Sequence, residues 1–326
     1  MAKARLMDFP TVSVIIPVRN EAKRIRQCIE GILHQTVPVQ EIIVIDSGST
    51  DGTLEILAEF PELDVIHIDS SSFNHGLTRN LGVARATSEF CQLTVGDAYA
   101  YNEFWLEEML NGFVDDQVQA VCGQQVVDHL LENNPTQWFR PATNPKLQIV
   151  QAKNDEWRNF SPEQRLMLGG WDDVNAMYRR TALLSQPFRR TNYSEDIIWL
   201  NECLENNGKV VYNRAARVYH YHNESFDFAY RRTLTTHYFR YRIYGSIPVL
   251  KHNINPVKSF LRRIKLTFWS SGMSPVQALK WWRYESARIA GRKRGTREFI
   301  AALNQGEEAL DAHHANVCGK PPIPVK

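Results

Sequence analysis

Residues 12–49 read VSVIIPVRNEAKRIRQCIEGILHQTVPVQEIIVIDSGS, and this stretch decides the fold class. VSVIIPV (12–18) and EIIVIDSGS (41–49) are short β-branched runs that end in polar turns. Between them, residues 21–35 carry Ala22, Ile25, Ile29, Ile32 and Leu33 at helical spacing. A strand, a helix and a second strand of these lengths make a βαβ unit, and such units build parallel sheets.

Outward from that unit, DVIHID (64–69) reads as a strand, GLTRNLGVARA (76–86) as a helix, and FCQLTV (90–95) as a strand ending at Gly96-Asp97. A helix near Asn102–Gly112 and the strand QAVCGQQVV (119–127) follow. Residues 128–170 have scattered Pro and Trp without a clear period, and are expected to make a long excursion over a binding site. VNAMYRR (174–180) reads as a short strand and turn, and Glu195–Asn206 as a helix closed by Asn206-Asn207-Gly208. KVVYN and ARVYHYH return to strand character, and beyond Phe226 the chain is helical, basic and aromatic. The expected class is α/β: an open, mostly parallel sheet flanked by helices, with a basic helical C-terminal extension. Ligands of such sheets bind at the carboxyl ends of the strands. Those ends are Arg19-Asn20-Glu21, Asp46-Ser47-Gly48, Asp69-Ser70 and Gly96-Asp97.

With 326 residues the chain has room for one large domain with an extension, or for two domains. Its net charge of +2 is unevenly spread. Phe228 to Arg297 holds 16 Lys/Arg against one acid, Glu285, which leaves 22 bases and 35 acids elsewhere. The two parts are therefore expected to meet different partners. Five scattered cysteines without a CxxC pair suit reduced thiols in a cytosolic setting. MAKARLMDFP has no apolar stretch behind it and is not a signal peptide, and no run of about 18 apolar residues would span a membrane. The first βα turn, PVRNEA, lacks the GxGxxG of a dinucleotide fold, and no GxxxxGK[ST] loop exists. Dehydrogenase and P-loop chemistry are thereby set aside.

VSVIIPVRNE, then IIVIDSGSTDGT, FNHGLTRNLGVARA (73–86), an Asp after the fourth strand, YSEDIIWL (193–200) and ARVYHYH (216–222) together resemble family 2 glycosyltransferases with the GT-A fold. The resemblance covers roughly residues 11–245, and is strongest to bacterial rhamnosyltransferases of surface polysaccharide assembly. It implies a GT-A domain over 1–227, with 228–326 as the helical region. It also implies an inverting, metal-dependent enzyme of the hexosyltransferase type. The donor would be a nucleotide-diphosphate sugar, of rhamnose or a UDP-hexose, and the acceptor a hydroxyl of a glycan or lipid-linked saccharide. The competing reading is a sugar-nucleotide-binding or scaffold protein without catalysis.

The resemblance also assigns residues. Pro17, Arg19, Glu21, Asp46 and Asp51 fall to the donor nucleotide, since carboxylates accept from a pyrimidine N–H or ribose hydroxyls. A polar turn capping a helix start is the bland alternative. Arg79 and Asn80 open a helix after a glycine, where a cation would meet the diphosphate. Asp97 stands in Val95-Gly96-Asp97, matching a DxD-type motif without its first acid. Of His220 and His222, two residues apart, one, His222 by preference as nearer the loop, would complete a Mg2+ or Mn2+ site with it. The histidines could instead pack against neighbouring tyrosines. Asp196 matches the family's general base and Glu195 its positioning partner, although acids in a first helical turn also complement the helix dipole. Asp173 and Asn175 fall on the donor-sugar or acceptor side. Basic helices with interleaved Tyr238, Tyr241, Tyr244, Phe260, Phe268, Trp269, Trp281 and Trp282 suit an anionic membrane surface. No nucleic-acid motif accompanies them. The expected location is cytoplasmic, peripheral at the inner membrane, with packing on the core as the alternative use of these helices.

Overall fold

The computed structural model describes residues 10–128, 147–153, 156–222, 224–247 and 274–319. Part of the expected 128–170 excursion, and Phe260, Phe268 and Trp269 of the basic region, lie outside the described residues.

Strand β1 (Val12–Val18) lies between β2 (Glu41–Asp46) and β4 (Phe90–Leu93), parallel to both, and β3 (Leu63–His67) extends the parallel set beyond β2. The β-branched runs are buried on both faces, as parallel strands usually are. Val12, Val14 and Ile16 of β1 join Ile42 and Val44 in one core cluster, while Ile15 joins Ile43 and Ile45 in the other. Helix α1 (Ile25–Leu33) covers the first face with Ile25, Ile29 and Ile32 of the expected stripe and with Cys28, whereas Leu33 is exposed and Ala22 lies in the turn of residues 21–24 before it. A five-residue helix that the spacing did not announce, α2 (Thr53–Leu57), follows β2. Helix α3 (His75–Arg85) covers the opposite face at close range. A side chain at Gly82 would come within 2.4 Å of Ile15 Cγ2.

The rest of the sheet turns antiparallel at β8 (Ala176–Arg179), which pairs β4 on one side and β6 (Val118–Val126) on the other. β9 (Lys209–Tyr219) then runs parallel to β6 and carries β5 (Tyr99–Ala100) and β7 (Gln148–Gln151). The full order is β3-β2-β1-β4-β8-β6-β9-β5, with β7 on β9. The expected pair of runs in KVVYN and ARVYHYH is one strand that stops at Tyr219, so His220 and His222 follow its end rather than lie on it. Its pairing with β6 shifts register between Cys122 and Gln124, where Tyr212 and Arg217 are the partners on β9. Around the sheet lie α4 (Trp105–Asn111), α5 (Glu156–Asn159), α6 (Pro162–Leu168), α7 (Arg180–Ser185) and α8 (Glu195–Glu205). β7, α5 and α6 give regular structure to a stretch in which no period was visible.

Three helices complete the described chain: α9 (Phe226–Tyr244), α10 (Pro275–Leu303) and α11 (Glu307–Cys318). They have a core of their own, built on Leu234, Tyr238, Phe239, Phe299, Ala302 and Leu310. Gly291 and Gly295, one turn apart, bring α10 onto the α9 backbone; a side chain there would lie 2.3 Å from Phe226 O or 2.6 Å from Tyr230 O. Much of the basic charge is answered by acids just outside the 228–297 window. Arg231 pairs with Asp227, Arg242 with Glu307 and Asp311, and Arg294 with Glu298. Among the described residues no helix is long and apolar enough to cross a membrane.

Candidate active site

Three loops meet at the carboxyl edge of β1, β2 and β4. Asn20 adopts a left-handed conformation (φ 58°) just after β1. Its N–H donates to Ser49 Oγ at 2.9 Å, and its Oδ1 accepts from Thr50 N at 2.8 Å. Glu21 N donates to Thr53 Oγ1, and Ala22 N to Asp51 Oδ2. The two loops are thus laced together. Asp46 is almost fully buried and accepts from Gly48 N at 3.0 Å and Ser49 N at 3.2 Å. Burial opposes its ionisation, but these donors and His67 outweigh it and hold the carboxyl below its usual range. Asp46 and Asp51 therefore shape the 46–53 loop, while Arg19 is exposed and Pro17 half-buried beside it.

Beside these loops, Asp97, His220 and His222 bring one ligand atom each within 4.8 Å of one another. Asp97 Oδ1 lies 3.4 Å from His220 Nε2, and Oδ2 lies 3.5 Å from His222 Nδ1. His220 Nδ1 donates to Oε1 of Gln125 at 2.7 Å, which orients the ring with Nε2 toward Asp97. Burial, then the His220 ring, pushes His222 down to about 4, so it is neutral at physiological pH. Two imidazoles and a carboxylate facing one point are a donor set suited to a divalent cation. Burial opposes ionisation of Asp97, but the facing histidines hold it below its usual range. Glu21 stands alongside, with Cγ 3.0 Å from where a side chain on Gly96 would begin. Burial, then Asp97 and Asp51, pushes Glu21 up to about 7. Val95, where the first acid of the motif would stand, packs against the core instead.

A second cluster forms where α3 meets the start of α8. Arg79 is buried, donates from Nη1 to Glu195 Oε1 at 2.6 Å, and has Nε 3.7 Å from Asp173 Oδ2. Trp171 Nε1 donates to Tyr178 Oη at 2.7 Å, and Tyr178 donates to Asp173 Oδ1 at 2.5 Å. Ser194, in a left-handed conformation (φ 65°), turns the chain so that Glu195 enters this cluster. Asp196 beside it stays half-buried, with Oδ1 accepting the N–H of Ile197 at 2.7 Å. Burial, then Glu195 and Asp173, raises Asp196 well above the usual carboxylate range.

Three residues expected at the donor or acceptor are bonded within the protein. Arg79 is taken up by Glu195 and Asp173 inside the protein and is not turned to a diphosphate. Asn80 clamps the backbone of Phe188, accepting its N–H at 3.0 Å and donating to its carbonyl at 2.8 Å. Asn175 is fully buried, accepting from Trp105 Nε1 and donating to Ala216 O, so its amide ties β6, β9 and α4 and does not reach a sugar.

Residues 13–184 match the model of Glycosyl transferase family 2. The chain belongs to this family. Among relatives of this glycosyltransferase, the O-antigen chain rhamnosyltransferase WbaN of Salmonella anatum is 32% identical over 221 residues, covering 66% of this chain and 67% of its own. RfbN of Salmonella typhimurium, of the same description, is 29% identical over 228 residues, covering 65% and 67%. Two solved glycosyltransferases share the GT-A fold at 16% identity. A Pyrobaculum calidifontis mannosyltransferase solved with GDP-Man and Mn2+ has TM-score 0.52, covering 97% of this chain and 84% of that one. S. aureus TarS 1–349 has TM-score 0.53, covering 95% and 92%.

Within this family 2 enzyme, several site residues gave no signal in the sequence. Gln125 sits in an ordinary strand, and Tyr178 and Trp171 read as core aromatics, yet they orient His220 and Asp173. Alternation along β6 would have put Gln125 on one face, but not opposite a histidine just after β9.

Proposed function

We propose that this glycosyltransferase inverts the anomeric centre of a sugar as it moves it from a nucleotide-diphosphate donor to a hydroxyl of a glycan or lipid-linked acceptor, in the assembly of surface polysaccharide. One observation carries the reading: the convergence of Asp97, His220 and His222 at the strand ends where the 19–22 and 46–53 loops also meet. Rhamnose is the favoured sugar, because the Salmonella relatives are rhamnosyltransferases. Asp97, His220 and His222 would hold the divalent metal, and two imidazoles favour Mn2+ over Mg2+. Bound there, it would offset charge on the nucleoside diphosphate.

Asp196 takes the proton of the acceptor hydroxyl. Its place in the first turn of α8, its partial exposure and a proton affinity raised by burial beside Glu195 and Asp173 support that role. Glu195, held by Arg79, fixes the turn that carries Asp196. Attack opposite the diphosphate inverts the sugar and needs no covalent intermediate. A panel of dTDP, UDP and GDP, each with Mn2+, is the first test, read by thermal stabilisation. Stabilisation by one of them in the wild type, lost in Asp97→Ala, supports the reading; no stabilisation by any overturns it.

The acceptor side of the proposal includes a membrane surface. Val276 and Leu279 are exposed on the first turns of α10, and exposed Lys280 and Arg283 continue the same stripe. Sedimentation with anionic vesicles but not neutral ones is the expected result, and equal sedimentation with both removes this part.

A further inference from the structure

The triad has a cationic flank built from the C-terminal helices. The carboxylate of Glu224 is almost fully buried, and three guanidiniums converge on it. Arg292 Nη2 lies at 2.8 Å, and Nη1 of Arg232 and of Arg288 at 3.7 Å. Arg288 has a second acid, Glu285, at 2.7 Å. Arg232 and Arg292 are each at least a third exposed, so their guanidiniums reach solvent as well as Glu224. The group is anchored next to the triad. Tyr284 Oη accepts from Glu224 N at 2.9 Å and also bonds the Tyr221 hydroxyl. The Phe228 ring lies 6.3 Å from the His222 ring, and the Arg232 guanidinium lies 5.7 Å from the centre of the same Phe228 ring. Arg232 therefore stands one aromatic ring away from His222.

We infer that Arg232, with Arg292 beside it, binds the donor's diphosphate on the flank of the Asp97–His220–His222 triad. The inference rests on reading the triad as the diphosphate end of the donor site. A nucleotide-sugar diphosphate carries about two negative charges and gains a third as the sugar leaves, so a divalent ion already shared with Asp97 leaves negative charge unanswered. Arg79 does not answer it, being buried against Glu195. The planar guanidinium of Arg232 suits phosphate oxygens, and its long 3.7 Å contact with Glu224 steers it without closing off its donors. On this view α9 and α10 are part of the donor site as well as a scaffold for it.

Calorimetry of inorganic pyrophosphate, with and without Mn2+, tests this on the full chain. Arg232→Ala should weaken pyrophosphate binding in Mn2+ by about ten- to a hundredfold, the scale of a hydrogen bond to a charged group. Affinity for Mn2+ alone and melting temperature should stay near wild type. Arg232→Lys should recover part of the loss. Arg231→Ala should behave as wild type, because that neighbour is exposed and paired with Asp227. Wild-type pyrophosphate affinity in Arg232→Ala overturns the inference while leaving the triad reading intact. So does Arg232-dependent binding that Mn2+ does not strengthen, which would move the anion away from the triad. A wild-type protein that binds no pyrophosphate in Mn2+ overturns the triad reading, and the inference with it.

Discussion

Arg79 Nη1 donates a 2.6 Å hydrogen bond to Glu195 Oε1, and both side chains are buried. The pair joins α3 to the first turn of α8 through residues far apart in sequence. Asp173 faces the same guanidinium at 3.7 Å, so one cation serves two acids. Truncating it leaves buried carboxylates without a counter-charge.

Arg79→Met is accordingly expected to lower stability by about 3–5 kcal/mol, the usual cost of breaking a buried ion pair from one side. Denaturant unfolding at neutral pH measures it. The double change Arg79→Met with Glu195→Gln should recover part of the loss, since it removes the orphaned charge. A single variant as stable as wild type would mean that the pair contributes nothing.

Asp196→Asn should cut turnover by about 10²–10⁴-fold with donor affinity nearly unchanged, because the amide cannot take a proton. Glu195→Gln should cost less turnover, since Glu195 is held by Arg79 and acts through its neighbour. Transfer rate, donor affinity and melting temperature on one preparation separate catalysis from folding. An Asp196→Asn enzyme with full activity per folded molecule removes Asp196 as the base.

Asp173 gives a pH signature. Burial, opposed by Arg79 and reinforced by Glu195, pushes it up to about 7. Between about pH 4 and about pH 7 the unfolded chain has released this proton while the folded protein keeps it. The stability from this group is therefore fully present below the unfolded pKa, falls as pH rises, and levels off above about 7. Chemical denaturation across that range should show wild type losing ground steadily to Asp173→Asn. The reverse trend, with wild type gaining on the variant as pH rises, contradicts the assignment.

Gln125→Leu should weaken Mn2+ binding by about 10–100-fold, because it removes the acceptor that orients the His220 ring. Calorimetry with Mn2+ is the measurement, and melting temperature controls for folding. Unchanged affinity would show that the ring is held by its packing alone.

The strands and longer helices were legible because their signals are local. β1 has the bounds of its β-branched run, and α8 starts at Glu195 as its first-turn acids imply. Two-residue β5 and five-residue α2 are too short to carry a period, and β9 hides its continuity because Asn213 and Arg214 interrupt the apolar run. In the site, the types of Asp97, His220 and His222 were legible, and the structure adds their meeting. What Arg79 meets was not legible. A cation after a glycine looks the same in sequence whether it faces a phosphate or a buried acid 116 residues away.

β9 does more than extend the sheet. It pairs with β5, β6 and β7, and the chain delivers His220 and His222 directly from its end. Asp97, by contrast, comes from the early half of the chain, two residues before β5. Asp97, His220 and His222 can therefore come together only after β9 has docked. A chain in which β9 has not docked can lace the 19–22 and 46–53 loops together but cannot bring these three side chains to one point.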